Sequence, residues 1–408
     1  MEENTVLLAN NLMKILSITI VSGVICARLS KLIKLPDVVL FIVAGILLGP
    51  QGLNLIGFES YSVENQLILT FGAAYILYDG GREVQLGILN KVKISVLLLA
   101  TIGVLISTFI TGYFAYKILK IDLIYALLLG AVIASTDPSV LVPLFKNMNI
   151  SNKLKQTIIS ESAFNDAAGA IMTFTILGII EGGTFSVGRS AWELLLKAGG
   201  GVVIGLIVGY AATFLVGEKK HSFLTGYPGE IAVAAVLGGY IIAEHFHFSG
   251  FMAVFIIGIV CGNKDIFRLS IKGEEENIHI SFKEVLIMII RIMIFVILGT
   301  QINFAVLGRY WAQALLVVVL FIFIARPVSV IFSVILDKKA EWSFREILYL
   351  MWTRETGVIP AALVGMLASM KVNNSEIISA VTFMAIIITL GVQASTAKYV
   401  AKVLKLEI

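Results

Sequence analysis

The chain has 408 residues, of which 58% are hydrophobic and only 14% are charged, and its mean hydropathy is +0.95. Soluble domains carry about 25% charged residues, so this composition excludes both a large water-soluble protein and an intrinsically disordered one. The net charge of +4 gives no indication of a nucleic-acid partner. The two cysteines, Cys26 and Cys261, are too far apart in sequence to indicate a metal site or a disulfide framework. We therefore expect an all-α protein that crosses a lipid bilayer many times.

The sequence contains thirteen apolar segments that are candidates for membrane-spanning helices. A helix needs roughly 20 apolar residues to cross the hydrocarbon core. Several of the segments are shorter than this or are broken by Gly and Pro, which predicts tilted or discontinuous helices. The polar connection at 263–282 is predicted to be a solvated loop. The thirteen predicted spans are 6–27, 36–50, 65–79, 93–117, 122–146, 156–180, 191–216, 228–244, 248–262, 283–302, 311–336, 343–369 and 376–403.

The distribution of Lys and Arg between alternate loops predicts how the chain is oriented. Loops on one side contain clusters such as Arg28, Lys31 and Lys34, whereas the opposite side has mostly isolated basic residues. Because cytoplasmic loops are enriched in Lys and Arg, we expect the amino terminus outside and the carboxyl terminus in the cytoplasm of a cell-membrane protein. The acidic start, MEEN, does not resemble a cleaved signal peptide. Residues 1–408 are expected to form a single membrane domain with no soluble regulatory domain.

The fifth span contains a charge and a helix-breaking residue at the same point. Asp137 is followed by Pro138, which disfavours helix at the preceding residue, and Pro143 lies five positions on. We expect the helix to break at Thr136 and Asp137, where freed carbonyls and helix ends can hold ions. The alternative is a proline-kinked core helix in which Asp137 caps the restart.

The sixth span contains four polar side chains within two turns of helix. Glu161 and Asn165 are four residues apart and share a face, and Ser162 and Asp166 share the adjoining face. Intramembrane charges are costly and usually functional, and ligands with oxygen donors suit hard cations. The alternative is a polar contact between two helices, which needs neither two carboxylates nor a second polar break nearby.

Two further charged positions lie in the second half of the chain. Arg326 lies in an apolar run and needs a carboxylate partner, for which Glu161 is preferred because an ion-binding Asp must stay free. Arg354 and Glu355 precede Gly357 and Pro360, which again predict an interrupted helix. Interruptions at matching places in two halves are typical of inverted-repeat transporters. We therefore predict a first repeat at 6–180, a linking helix at 191–216 and a second repeat at 228–403.

Taken together, these motifs resemble the monovalent cation:proton antiporters of the NhaP-type branch, related to the animal sodium/proton exchangers. The resemblance rests on Thr136-Asp137-Pro138, on Glu161-Ser162 with Asn165-Asp166, and on Ile324-Ala325-Arg326. It implies the NhaA-like antiporter fold with two crossing discontinuous helices. It also implies that Asp166 is the shared cation and proton site, that Glu161, Ser162 and the backbone of Thr136 help to coordinate the cation, and that Arg326 pairs with Glu161. The Asn-Asp pair resembles electroneutral exchangers, and a homodimer is expected from the family alone.

The remaining expectations concern how the exchanger works. A single carboxylate holds a proton or a metal ion but not both, which predicts one-for-one exchange of Na⁺, or alternatively K⁺ or Li⁺, for H⁺ without a cofactor. Asn165 is expected to orient Asp166, and Asp137 either binds the cation or balances helix ends. Many relatives have an Arg where Thr356 aligns, so the sequence leaves open how the second broken helix is neutralised. His221, His245 and His247 are candidate pH sensors.

Three rival functions remain open at this stage. An ion channel would need a repeated carbonyl-rich filter, which the sequence lacks. An intramembrane enzyme would need a recognisable catalytic motif, and neither HExxH nor G-x-S-x-G occurs. A solute symporter shares the architecture but would need a roomier polar site.

Overall fold

The protein is described by a computed structural model that covers residues 2–33, 35–57, 63–137, 145, 148–182, 187–217, 224–267 and 274–407. The regular structure in these ranges is helical throughout, as a bilayer requires of any chain that is not a closed barrel. The longer helices are α1 (Glu2–Ile33), α2 (Asp37–Leu48), α3 (Val63–Glu83), α4 (Leu86–Ala100), α5 (Ile102–Leu119), α6 (Leu123–Ala134), α7 (Asn152–Ile180), α8 (Val187–Val216), α9 (Pro228–His245), α10 (Gly250–Gly262), α11 (Glu274–Thr300), α12 (Phe304–Leu320), α13 (Arg326–Ile335), α14 (Phe344–Trp352), α15 (Val358–Ser369), α16 (Ser375–Ile388) and α17 (Ser395–Val403).

The all-helical membrane architecture predicted from composition is confirmed. Six described helical stretches are long and apolar enough to cross a membrane, and four shorter apolar helices accompany them. Described helices overlap each of the thirteen predicted spans, although the exact number of crossings stays a prediction.

The helices differ from the predicted spans in two places. The segment 263–282 was predicted to be a loop, but α11 already begins at Glu274, because a helix can continue beyond the point where hydropathy falls. The single span predicted at 93–117 is divided into α4 and α5 at Thr101, whose hydroxyl donates to the carbonyl of Leu97 at 2.6 Å. A side chain that competes for backbone groups in this way is a common cause of a local break.

Two π-helical turns divide the last long helices. The first, Phe321–Ala325, joins α12 to α13 and ends directly before Arg326. The second, Thr389–Ala394, joins α16 to α17. Such turns are often found at functional sites because they redirect side chains and free backbone groups, and both contact the site described below.

The predicted interruptions are present in both halves of the chain. Helix α6 ends at Ala134, so the break includes Thr136 and Asp137 as expected, whereas Pro138 and Pro143 lie outside the described residues. The second break separates α14, which ends at Trp352, from α15, which begins at Val358. The two breaks meet in the interior, where the interrupted helices cross.

Close packing of α2 on α11 depends on glycine. A Cβ atom added to Gly299 would lie 2.3 Å from the carbonyl oxygen of Ile42 and 2.9 Å from the Cα of Gly45. Both obstacles are backbone atoms, which a rotamer change cannot move. Any side chain at Gly299 must therefore separate the two helices.

We predict that Gly299→Ala lowers the stability of the purified protein, since overpacking typically costs about 1–3 kcal/mol. The matched control is Gly308→Ala in α12, where an added Cβ meets no atom within 4 Å. Thermal unfolding of both variants in detergent provides the measurement. Equal melting temperatures for the two variants would contradict the backbone contact.

Candidate functional site

The two interrupted segments are joined by hydrogen bonds of Asp137. Its backbone N–H donates to the carbonyl of Glu355 at 2.8 Å, and its carboxylate Oδ2 accepts from the N–H of Val358 at 3.0 Å. Val358 is the first residue of α15, so Asp137 places a negative charge at the positive end of that half-helix. A Cβ at Gly357 would lie 2.1 Å from the Asp137 carboxylate, so this contact requires glycine.

Arg354 neutralises the negative, C-terminal end of α6, the half-helix that precedes the first break. Its guanidinium donates to the carbonyl of Ala134, the last residue of α6, and to the hydroxyl of Ser107 at 3.1 Å. It also lies 4.4 Å from the centroid of the Phe321 ring. The sequence left the role of Arg354 open, because helical spacing does not say where this side chain lies in the chain at 353–357, which is not helical. Asp137 and Arg354 thus neutralise the opposite half-helices.

The freed backbone groups of the second break are satisfied by the π turn at Thr389–Ala394. The N–H of Thr356 donates to the hydroxyl of Thr389 at 2.9 Å, and the side-chain amide of Gln393 donates to the carbonyl of Trp352 at 2.7 Å. Unpaired backbone groups at this depth would be costly. The turn therefore holds the interrupted segment in its non-helical form.

The first break is fastened to α7 by polar side chains. The N–H of Thr136 donates to Asn165 Oδ1 at 3.0 Å, and Asn165 Nδ2 donates to the Thr136 hydroxyl at 2.9 Å. The hydroxyl of Ser162 donates to the carbonyl of Thr136 at 2.6 Å. Asn165 was expected to orient Asp166, but the described hydrogen bonds of its side chain reach Thr136 instead. The amide of Asn165 thus satisfies both the backbone N–H and the hydroxyl oxygen of Thr136 in the interrupted segment.

Asp166 lies beside this anchored loop and differs from its polar neighbours. Only 7% of the residue is exposed, yet its Oδ1 atom has no hydrogen-bond partner among the described residues. The buried hydroxyl of Ser135 interacts with the Asp166 carboxylate, although it makes no hydrogen bond of ordinary geometry among the described residues. Buried polar atoms are nearly always satisfied, so a carboxylate paired this weakly is placed to accept a cation or a proton.

A cavity of about 310 Å³ connects Asp166 with the C-terminal end of α3 and the middle of α11. Its inner part is formed by residues of the crossing and of α7, which are Asp137, Ser162, Ala163, Asp166 and Val358. Its outer part is formed by charged residues of α3 and α11, which are Asp79, Glu83, Lys283, Glu284 and Arg291. This lining gives an ion a polar path to a carboxylate that is otherwise buried.

Glu161 and Arg326 form the buried ion pair expected from the sequence. Both oxygens of Glu161 accept from the guanidinium, with Oε2 at 3.0 Å from Nη2, and each side chain is 3% exposed. The guanidinium also donates to the carbonyl of Leu350, from Nε at 3.0 Å and from Nη2 at 2.7 Å. Glu161 is not among the described residues that line the cavity at Asp166. The pair therefore ties α7 to α13 and α14.

Ser135 is a residue of this region that is not among the predicted ligands. It directly precedes the predicted break, and a hydroxyl next to Thr136-Asp137 is the signal in the sequence that points to it. Among the candidate sensors, His247 lines a second cavity of about 300 Å³ together with Glu181 and Glu244, and His221 lies outside the described residues. A role in pH sensing stays a prediction.

We predict that Arg326→Met destabilises the protein strongly, because breaking a buried ion pair leaves an uncompensated charge, at a cost of about 3–5 kcal/mol. Glu161→Gln combined with Arg326→Met should recover part of this loss, since no charge is then left unpaired. Thermal unfolding of the single and double variants in detergent measures the coupling. Additive losses would show that the two side chains do not depend on each other.

Similarity to known proteins shows which family the chain belongs to. The sequence model of the sodium/hydrogen exchanger transmembrane family matches residues 16–403. A Na⁺/H⁺ antiporter 1 of Methanocaldococcus jannaschii is 30% identical over 364 residues, covering 85% of this chain and 81% of the relative. A K⁺/H⁺ antiporter NhaP of Alkalimonas amylolytica is 28% identical over 400 residues, covering 97% of this chain and 67% of the relative.

A solved structure shows the same architecture. The structure of the sodium proton antiporter MjNhaP1 from Methanocaldococcus jannaschii at pH 8 matches with a TM-score of 0.84 and 28% identity, covering 97% of this chain and 99% of that one. Both the family match and this likeness extend over nearly the whole chain. The protein therefore belongs to the sodium/hydrogen exchanger family, a family of multi-pass membrane transporters, as the Thr-Asp-Pro and Asn-Asp motifs had indicated.

Proposed function

We propose that this protein exchanges Na⁺ for H⁺ across a membrane by alternating access, with Asp166 as the shared binding site. The observation that carries the proposal is the buried Asp166 Oδ1, which has no hydrogen-bond partner among the described residues and belongs to a side chain that lines a cavity with further carboxylates. A carboxylate placed in this way needs a proton or a cation to be stable at membrane depth. Because one carboxylate accepts only one of the two at a time, the two fluxes are coupled without a further device.

The proposed cation ligands come from α7 and the break after α6. Asp166 supplies the charge, while the hydroxyls of Ser162 and Ser135 and the carbonyl of Thr136 supply neutral oxygens, the donor type that suits hard cations. Asp137 lines the same cavity, but its Oδ2 is occupied by the N–H of Val358. We propose that Asp137 mainly neutralises the positive, N-terminal end of α15. Glu161 holds α7 in place through Arg326 and does not bind the ion directly.

Electroneutral one-for-one exchange follows from the charges of the moving site. Asn165 cannot ionise, so Asp166 is the titratable side chain of the Asn-Asp pair. A site that crosses the membrane only after its single negative charge is neutralised carries no net charge in either direction. An aspartate in place of Asn165 would add a charge to the translocated unit.

The choice of Na⁺ over K⁺ rests on the relatives. Several are named Na⁺/H⁺ antiporters, and a sodium proton antiporter is also named in the solved structure that covers 97% of this chain. The K⁺/H⁺ antiporters among the relatives make K⁺ the second candidate. We further propose a homodimer in the cell membrane, with the amino terminus outside and the carboxyl terminus in the cytoplasm, from the family resemblance and the loop charges.

The first test uses proteoliposomes that contain a pH-sensitive dye and are challenged with Na⁺, K⁺ and Li⁺ in turn. We expect cation-driven alkalinisation by the wild-type protein and, for Asp166→Asn, only the background of empty liposomes, since an amide can hold neither ion. The matched control is Asp122→Asn, which makes the same change just before α6, where Asp122 forms no capping hydrogen bond. Cation leakage without proton movement would identify a channel instead.

A second test addresses stoichiometry. We expect the rate of Na⁺-driven proton flux to be independent of membrane potential, because the loaded site is neutral with either ion bound. The potential is set by K⁺ gradients with valinomycin, or by a cation that the protein does not carry if K⁺ proves to be transported. A rate that rises with potential would contradict one-for-one exchange.

A further inference from the structure

An ion pair spans the outer part of the cavity that reaches Asp166. The ammonium of Lys283 on α11 lies 2.7 Å from Asp79 Oδ1 on α3, and each side chain is 17% exposed. Both residues line the same cavity as Asp166. The charges of the pair therefore act within the cavity that leads to the site.

The charges around the pair make Lys283 distinctive. Among the described residues, the cavity lining contains two cations, Lys283 and Arg291, and five carboxylates, which are Asp79, Glu83, Asp137, Asp166 and Glu284. Arg291 is balanced by Asp37, which is 3.0 Å away and does not line the cavity. Lys283 instead neutralises a carboxylate of the lining itself.

We propose that Lys283 is a tethered competitor of the transported cation, and that its pairing with Asp79 sets the cation concentration at which exchange is half-maximal. A lysine ammonium is a monovalent cation on a flexible stem, and it pairs with a carboxylate of the cavity lining that would otherwise attract an incoming Na⁺ or K⁺. The proposal rests on the proposed exchange function. It adds a residue that tunes apparent affinity without binding the ion.

The physical basis is the effect of local charge on the concentration of small cations. Without Lys283, the free Asp79 carboxylate would make the cavity more negative and attract cations toward Asp166. Without Asp79, the free ammonium of Lys283 would repel them. At separations within one Debye length, about 10 Å at 0.1 M salt, such charges change occupancy by about two- to tenfold.

A purely structural role for the pair is the competing explanation. The ion pair links α3 to α11, and its loss could simply loosen the two helices. That role predicts that removal of either partner has the same effect, since the link is lost in both cases. The charge mechanism predicts opposite effects, and this difference makes the two explanations separable.

The test is a double-mutant comparison of Lys283→Gln, Asp79→Asn and the combined variant in proteoliposomes. We expect the cation concentration for half-maximal proton flux to fall about two- to tenfold in Lys283→Gln and to rise about as much in Asp79→Asn. The combined variant, which restores charge balance, should return near the wild-type value. Maximal rates should change little, and the differences should shrink when an impermeant salt is added.

The matched control is Lys153→Gln, which removes a cation from the ion pair with Glu346 at 2.9 Å, outside the cavity lining. It should leave the half-maximal concentration unchanged. Parallel losses of maximal rate or thermal stability in both single variants, with no opposite shift in half-maximal concentration, would overturn the proposal in favour of a structural link. Absence of any wild-type exchange would instead count against the proposed function itself.

Discussion

The structure depends on one constraint, which is that two helices broken inside the membrane must satisfy each other. A break leaves backbone groups without partners and exposes the partial charges of helix ends. Here Asp137 lies at the start of α15 and Arg354 lies at the end of α6, so each broken segment supplies the charge that the other needs. The hydrogen bond between the backbones of Asp137 and Glu355 fixes the crossing. The π turn at Thr389–Ala394 accepts from the backbone N–H of Thr356, which the second break leaves without a helical partner.

This arrangement also determines which carboxylate is available for transport. Glu161 is occupied by Arg326, and an oxygen of Asp137 is occupied by the N–H of Val358. Both belong to the framework that holds the crossing together. Among the described residues, the buried oxygens Asp166 Oδ1 and Glu355 Oε1 have no hydrogen-bond partner, and of these two side chains Asp166 borders the cavity. The framework therefore leaves Asp166 in the position that an exchangeable ion can reach.

Sequence reasoning succeeded where local chemistry decides the outcome. The Asp137-Pro138 pair predicted the break, and the need of Arg326 for a carboxylate predicted its pairing with Glu161. It left the role of Arg354 open, because helical spacing does not apply to the non-helical stretch at 353–357. The contact of Asn165 with Thr136 and the pairing of Asp79 with Lys283 join separate elements of the chain. No periodicity in the sequence encodes such contacts, because they arise from the packing of α7 on the break after α6 and of α3 beside α11.

The hydrogen bonds at Thr136 also constrain how Asp166 can be exposed to opposite sides. Helix α7 borders one cavity near Asp166 and a second cavity further along, from Ile171 to Glu181. Thr136 is bonded to both Ser162 and Asn165, so a shift of α7 would carry the break after α6 with it unless these hydrogen bonds were lost. Asp137 lies in the same break and contacts α15, so the crossing and α7 are bonded together as one unit. The residues of α3 and α11, where Lys283 meets Asp79, line the cavity beside this unit.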